Sequence, residues 1–396
     1  MSRYIARTVV AWCVGLGLVP LAAQSVSFRP GDPLPGITPS EFEQFRVGLE
    51  EFVTVGTIEE GFGPAFNGTS CAACHAVPAI GGMSPITELR VGYRSPDGTF
   101  RGLDATGNTL IHLFSLPNHG CQEIPPDDAN VMARRMPIPL FGAGLVEAIP
   151  DDTLLALADP LDRNGDGIQG RASIVTDLVT GERRVGRFGW KAQIATLLTF
   201  SGDAYRNEMG ITNAVFPSEG LYNIPPDRLK VCKVTLDPEG KVDPRTGLTA
   251  IEKFTRFMRL LAPVARGPID AVVGDGERVF AAIGCASCHV PALTTGPSAN
   301  PLFNRKVVPL FSDLLLHNIG TGDGIKQADS TAGPDEIRTP ALWGLRLRRP
   351  FLHDGSAATI EEAIARHQGE ADLARKGFVR LDDAARSSLL AFLRSL

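Results

Sequence analysis

The chain of 396 residues has no excess of basic charge, no methionine after Met258, and only seven histidines. Lys and Arg number 39 against 44 Asp and Glu, a net charge of −5. That balance excludes a surface built to neutralise nucleic-acid phosphates. Beyond the N-terminus no stretch is long and apolar enough to cross a bilayer, which excludes a membrane-embedded body. The missing methionines mean that the last part of the chain cannot offer a thioether to a metal. What the chain does have is loop-forming residues, 42 Gly and 30 Pro, and 43% apolar residues. That is enough for two domains of ordinary size, joined by long loops between helices.

Seven cysteines are present, and four stand in two runs of one pattern: Cys71-Ala72-Ala73-Cys74-His75 and Cys285-Ala286-Ser287-Cys288-His289. Cys-x-x-Cys-His is the attachment signature of a c-type haem. The two thiols add to the porphyrin vinyl groups, and the imidazole that follows becomes the proximal iron ligand. A dithiol redox site or half of a zinc site would use the cysteines differently, but neither requires a histidine next door. The expectation is two covalently bound haem c groups. Of the other three, Cys13 falls in the N-terminal run read below as a signal, and Cys121 and Cys232 remain, either as a disulfide pair or as two separate thiols.

The N-terminus reads as a secretory signal over residues 1–24. Arg3 and Arg7 form the basic region. Val9 to Ala23 is apolar, interrupted by Pro20, and small residues at Ala22, Ala23 and Ser25 offer a cleavage site. An uncleaved anchor is the other reading of this run. Export, to a periplasm or beyond, agrees with the haem motifs, because c-type haem is attached outside the cytoplasm.

Along the chain, Thr38-Pro39-Ser40-Glu41 is a helix start. Phe42, Phe45, Leu49 and Phe52 then recur at helical spacing. Residues 84–120 read as β-rich or irregular, and His112 and His119 fall there, either as structural hydrogen bonders or as a cap for the first iron. Asp162, Asn164 and Asp166 match the first half of a calcium loop, but the twelfth position is Ser173, where a full loop has Glu. The readings are a calcium site or a Gly/Asp-rich turn. Phe254, Phe257, Met258 and Leu261 mark another amphipathic helix, ended by Ala262-Pro263. The run to Pro268 reads as a linker, giving a haem domain at 25–265 and a second at 266–396. Phe188 to Leu197 echoes Phe351 to Ile360, so the chain reads as two related units in tandem, the first carrying an insertion.

These segments resemble the bacterial di-haem cytochrome c peroxidase superfamily. The nearer resemblance is to its branch of di-haem oxidoreductases, often labelled thiol oxidoreductases. It rests on the two haem motifs, Gly189-Trp190-Lys191-Ala192-Gln193, Asn207-Glu208-Met209-Gly210, Asp313-Leu314-Leu315-Leu316-His317, Phe351-Leu352-His353-Asp354-Gly355 and Gly369-Glu370-Ala371, and covers residues 40 to 396. It implies a mostly α-helical protein of two cytochrome-c-like domains, with a small β-rich insertion in the first. It implies that Trp190 relays electrons between the haems, and that Glu208 lies over the peroxide-binding iron as general acid and base. It implies hydrogen peroxide as substrate and a periplasmic electron-donor protein as partner. Oxygen activation, as in the rubber oxygenases, and plain electron transfer are the alternatives. Two departures stand out. Val91 occupies the place of a histidine that caps the resting first iron in many members. Arg348-Arg349-Pro350 replaces a Thr-x-Pro run that helps to hold an inter-haem calcium.

The second haem needs a sixth ligand, and methionine is absent from its domain. His367 falls late in a helix capped by Thr359, on the face that carries Ile360, Ala363 and Ile364. The superfamily places its ligand fourteen residues beyond the histidine matched by His353, which is the place of His367. The expectation is bis-histidine ligation by His289 and His367, with His317 as the next candidate.

Overall fold

The computed structural model describes residues 29–396, except 118, 219, 222–223, 225, 230–231 and 233–241. The signal segment therefore lies outside the described residues. The helices are α1 (Pro39–Val53), α2 (Cys71–Cys74), α3 (Ala143–Glu147), α4 (Asp151–Leu157), α5 (Leu197–Met209), α6 (Pro226–Leu229), α7 (Ala250–Leu260), α8 (Ala271–Ala282), α9 (Ile360–Ala365), α10 (Asp372–Arg380) and α11 (Asp383–Leu393). None among the described residues is long and apolar enough to cross a membrane.

Helix starts follow the capping chemistry. The Thr38 hydroxyl accepts from the Glu41 amide at 3.2 Å, while the Glu41 carboxylate accepts from the Thr38 amide at 2.7 Å. Thr249 and Glu252 repeat the device at α7, and Thr359 caps α9. Such reciprocal caps satisfy amides that a helix otherwise leaves unpaired.

Two hydrophobic cores form, one around each Cys-x-x-Cys-His run. In the first, α1 crosses α7, with Phe45 and Phe52 ring centroids 5.2 Å and 4.8 Å from Phe257. α5 closes the other side of α7, where Tyr205 meets Phe254 edge-on at 5.1 Å. In the second, α8 packs on α11, with Phe280 5.1 Å from Phe392. The repetition extends to the histidines: Phe52 lies 6.3 Å from the His75 ring, and Phe280 lies 6.2 Å from that of His289. Both helix pairs approach closely at a glycine. A Cβ on Gly48 would strike the Lys253 carbonyl and Phe257, and one on Gly276 would strike the Ser388 carbonyl and Phe392.

The resemblance implies a mostly helical chain, but the observed fold is mixed, with 31% helix and 12% strand. The reason is the stretch on either side of the first motif, from Ala65 to Arg135. Strands β1 (Ala65–Phe66), β2 (Glu88–Arg94), β3 (Phe100–Arg101), β4 (Leu110–Ile111), β5 (Phe114–Ser115) and β6 (Val131–Arg135) occupy it. β2 is the spine of an antiparallel sheet, pairing with β6 on one edge and with β3 and β4 on the other. Strand alternation sends Leu89 and Val91 to one face, where they meet Ile111 in a small apolar cluster. Glu88 and Arg90 point to the opposite face. The register sets Arg135 beside Glu88.

That opposite face is charged and also enclosed. Arg90 donates to Glu88 at 2.7 Å, Arg135 to Asp323 at 2.7 Å, and Lys191 lies 3.1 Å from the same Asp323. Arg135 and Lys191 are fully buried. Buried charges persist only when paired in this way.

Gly276→Ala should destabilise the protein by about 1–3 kcal/mol, the usual effect of an extra methyl in a closed contact. Gly274→Ala is the control, because nothing lies within 4 Å of its Cβ position. That variant should be neutral or more stable, since Ala is the better helix former. Urea denaturation of the two variants, compared with the parent, measures the difference.

Candidate functional site

At the first motif, α2 is a single turn, capped by the Ser70 hydroxyl, which accepts from the Ala73 amide at 3.2 Å. The turn brings Cys71 and Cys74 to one side and leaves His75 at its end. The His75 Nδ1 lies 2.9 Å from the Gly82 carbonyl. A carbonyl only accepts, so Nδ1 carries the proton and Nε2 presents a lone pair. Burial pushes both thiols up, to about 12. Neither motif forms a disulfide within itself. Protonated, separate thiols do not make a dithiol redox centre, which relies on a lowered pKa.

The last turn of α5 lies directly against this motif. The amides of Asn67 and Gly68 donate to the Glu208 carbonyl at 2.8 Å and 3.0 Å, and Gly210, at φ +70°, ends the helix in the left-handed conformation that favours glycine. The Glu208 carboxyl is pushed up, to about 8, first by burial and then by the charge of Glu88. Asp203, one and a half turns earlier, is raised to about 6, again by burial first. Glu208 therefore holds its proton at neutral pH, in position to donate.

The second motif opens on a cavity of about 450 Å³. Cys285, Cys288, His289, His367, Trp190 and His353 all line it, with Phe280, Leu345 and Phe378 among its apolar walls. His289 Nδ1 donates to the Phe311 carbonyl at 3.1 Å, and His367 Nδ1 donates to the Ala363 carbonyl at 2.7 Å. Both rings thus keep Nε2 free, as His75 does. Burial lowers His289 to about 4, and the His367 imidazole adds to that effect. The rings are neutral, close together and both turned to a metal-ligating tautomer.

The cavity also fits the anionic edge of a haem. Arg338 and Arg348 line it and are buried. Arg338 donates to the Gly189 and Thr339 carbonyls, and Arg348 Nε has no partner among the described residues. Burial lowers both, to about 10. Two buried cations with no carboxylate partner among the described residues suit anions from a ligand, and a haem carries two propionates. Sequence reading missed both residues: Arg348 figured there only as a departure from a calcium-binding run.

Trp190 links the two regions. Its indole N–H donates to the Met136 carbonyl at 2.8 Å, and its ring meets His353 edge-on at 6.1 Å. Four residues beyond Met136, the Leu140 amide donates to the carbonyl of Gly81 at 2.7 Å, next to the Gly82 that holds His75. One short segment, Met136–Leu140, therefore touches the proximal loop of the first motif and the wall of the second cavity.

His317 is not available as a ligand. Its Nε2 lies 2.8 Å from Asp313 and its Nδ1 2.7 Å from Glu370. Against the effect of burial, these hydrogen bonds hold it far up, at about 12. Glu370 also accepts from the amides of Gln169 and Asn318 at 2.9 Å and 2.7 Å. The clamp fixes the loop that follows His367 onto the rest of the cavity rim. Cys288 Sγ lies 3.8 Å from His317 Nδ1, but both ring nitrogens already serve carboxylates. In the adjoining turn Asp162 is half-buried, and Asn164 and Asp166 are exposed. Its acceptors receive the turn's own amides, Gly167 on Asp162 and Ile168 on Asp166. Cys121 and Cys232 form a disulfide, with Cα atoms 5.8 Å apart. His119 is held by its own loop, on the Pro117 carbonyl at 3.0 Å.

A family model described as di-haem oxidoreductase matches residues 123–396. Hydrazine synthase of Kuenenia stuttgartiensis is 15% identical, with 99% of this chain and 100% of that chain covered and a TM-score of 0.41. The diheme peroxidase BthA of Burkholderia thailandensis is 17% identical, with 93% and 87% covered and a TM-score of 0.42. A MauG-like protein associated with microbial copper homeostasis is 19% identical, with 71% and 94% covered and a TM-score of 0.34. No curated protein matches the chain.

His317→Gln should leave Asp313 and Glu370 without their shared cation and destabilise the protein by about 3–5 kcal/mol at pH 6. His317 binds its proton more tightly when folded than when unfolded. Its contribution is therefore complete below the unfolded value near 6.5 and declines as pH rises towards the folded one. The gap between parent and variant should narrow steadily from pH 7 to pH 10 in urea titrations. A gap that widens with pH would contradict the assignment of His317 as the buried cation.

Proposed function

Because the chain belongs to the di-haem oxidoreductase family, and so is a haem-dependent redox enzyme, we propose that it is an exported di-haem c-type enzyme that reduces hydrogen peroxide, or uses it to oxidise a partner. Cys71 and Cys74 hold the first haem with His75 as proximal ligand, and Cys285 and Cys288 hold the second with His289. A haem iron, when bound, supplies the redox chemistry that the side chains lack.

The observation that carries this reading is an asymmetry. The second cavity presents two neutral imidazoles, His289 and His367, both with Nε2 free. Two strong ligands close an iron to substrate and suit it to electron transfer. The first motif instead has a carboxyl, Glu208, held in its protonated form beside it. A proton donor in an apolar pocket suits O–O bond cleavage, where the leaving oxygen must be protonated. Arg338 and Arg348 orient the second haem through its propionates. Trp190, between the Met136 segment and the second cavity, carries electrons from one haem to the other. A one-electron donor protein of the same compartment refills the second haem. The Cys121–Cys232 disulfide supports an oxidising compartment, in line with the N-terminal basic and apolar run.

His367→Ala should convert one low-spin haem to a high-spin or water-ligated form, read in the optical and paramagnetic resonance spectra. An unaltered second haem would remove His367 as the ligand. Glu208→Gln should keep both haems, by mass, and slow peroxide turnover by about 10²-fold, the size of a lost general acid. Two low-spin haems in the parent protein, both inert to peroxide, would instead make it an electron carrier.

A further inference from the structure

Beyond Glu208, the polar face of the sheet holds a second buried group that can move a proton. His112 is 1% exposed and Glu123 3%. Three hydrogen bonds join them, each 2.8 Å long. The His112 ring Nδ1 and the His112 amide both reach Glu123 Oε2, and the Glu123 amide donates to the His112 carbonyl. The carboxylate fixes the proton on Nδ1 and orients the ring, the arrangement that makes Nε2 a good base. His112 Nε2 is itself buried and has no partner among the described residues. A buried polar atom left unpaired is unfavourable and requires explanation by a ligand.

Its position says which ligand. β2 and β4 pair Leu89 with Ile111 and Arg90 with Leu110. One step further, the same register sets His112 opposite Glu88. Opposed residues share a face, so His112 stands with Glu88, Arg90 and Arg135 on the charged side of the sheet. The charges of Glu88 and Arg90 are also those that reach the Glu208 carboxyl. A second connection runs through Asn67. Its side-chain oxygen accepts from the Leu113 amide at 3.0 Å, and its amide donates to the Glu208 carbonyl at 2.8 Å. The residue after His112 and the residue Glu208 thus meet on one asparagine, four positions before Cys71.

We propose that His112 is a second catalytic residue on the peroxide side of the first haem, a base held by Glu123 and working beside Glu208. The proposal rests on the peroxidase reading above. Nε2 takes the proton from the inner oxygen of hydrogen peroxide, while Glu208 gives its own proton to the outer oxygen. The O–O bond breaks and the outer oxygen leaves as water. The donor protein supplies two electrons through the second haem. The inner oxygen leaves as a second water with the proton from His112 and one from solvent, and a further solvent proton restores Glu208. One peroxide, two electrons and two solvent protons thus give two waters. Dividing the acid and base roles between two groups removes the need for one carboxyl to serve as both.

The test uses the holoprotein and the variants His112→Leu, His112→Gln and Glu123→Gln, with His119→Ala as control. Two readouts are taken at the first haem: the rate of its spectral change with hydrogen peroxide, and its affinity for cyanide, which binds from hydrogen cyanide and leaves a proton for a nearby base. His112→Leu should slow the peroxide reaction by about 10²-fold and weaken cyanide binding about tenfold, the worth of one lost hydrogen bond. Glu123→Gln should give a smaller effect of the same sign, and His119→Ala none. Should His112→Leu fail to fold, His112→Gln, which keeps a buried polar group, decides on the same readouts. Rates and affinities within twofold of the parent would overturn the proposal. So would a first haem that changes from low-spin to high-spin in the His112 variants, because His112 would then be an iron ligand. If the parent itself does not react with peroxide, the peroxidase reading fails, and the cyanide comparison still decides whether His112 faces the first iron.

Discussion

Everything in this molecule depends on how three imidazole rings are held. A free imidazole exchanges its proton between two nitrogens and rotates about two bonds. His75, His289 and His367 do neither, because each donates Nδ1–H to a backbone carbonyl: Gly82, Phe311 and Ala363. The tautomer and the ring direction are thereby set by the protein's own backbone. The helices and turns around them serve that end. α2 exists to end at His75, α9 to supply the Ala363 carbonyl one turn before His367, and the loop at Phe311 to hold His289.

Charge is the second organising force, and it is handled in two ways. Where the fold can pair a buried ion internally it does so, as in Arg135–Asp323–Lys191 and Asp313–His317–Glu370. Around the second cavity it does not. Arg338 and Arg348 are buried with carbonyls or nothing as partners. Uncompensated buried charges are unfavourable, so a ligand that brought anions to these two would stabilise the fold by binding.

Much of this was legible in the sequence, for reasons that differ by residue. The two Cys-x-x-Cys-His runs are local patterns, and the chemistry lies within five residues. The place of His367 on the wall of the second cavity was legible because a capped helix start fixed the face on which it falls. The β-rich character after the first motif showed in its alternation, but the direction of that alternation did not. A strand with Leu89 and Val91 on one side and Glu88 and Arg90 on the other reads as apolar-in and charged-out. Here both sides are covered, and the charged side is enclosed with Asp323 and Lys191. Long-range partners were the least legible. Glu370 meets His317 across 53 residues, and Asp323 meets Arg135 across 188, and no local period reports such a meeting. His112 and Glu123 are nearer in sequence, yet a lone histidine in an irregular stretch carries no sign of burial.

The Cys121–Cys232 bridge bears on how such a chain could be assembled. Six cysteines lie in the described part of the chain, and two of them are joined. The other four, in the two Cys-x-x-Cys-His runs, are free thiols. The bridge closes a loop of 111 residues, which by chain entropy alone is worth about 4.7 kcal/mol. Neither Cys-x-x-Cys-His run lies inside that loop. Trp190 and Glu208 do, and Glu123 sits two residues past its first cysteine. Oxidation of one pair and maturation of the other two can therefore proceed on separate stretches of chain. A thiol mispaired between them, by contrast, would disrupt both a Cys-x-x-Cys-His run and the staple that keeps the Glu123 segment in place.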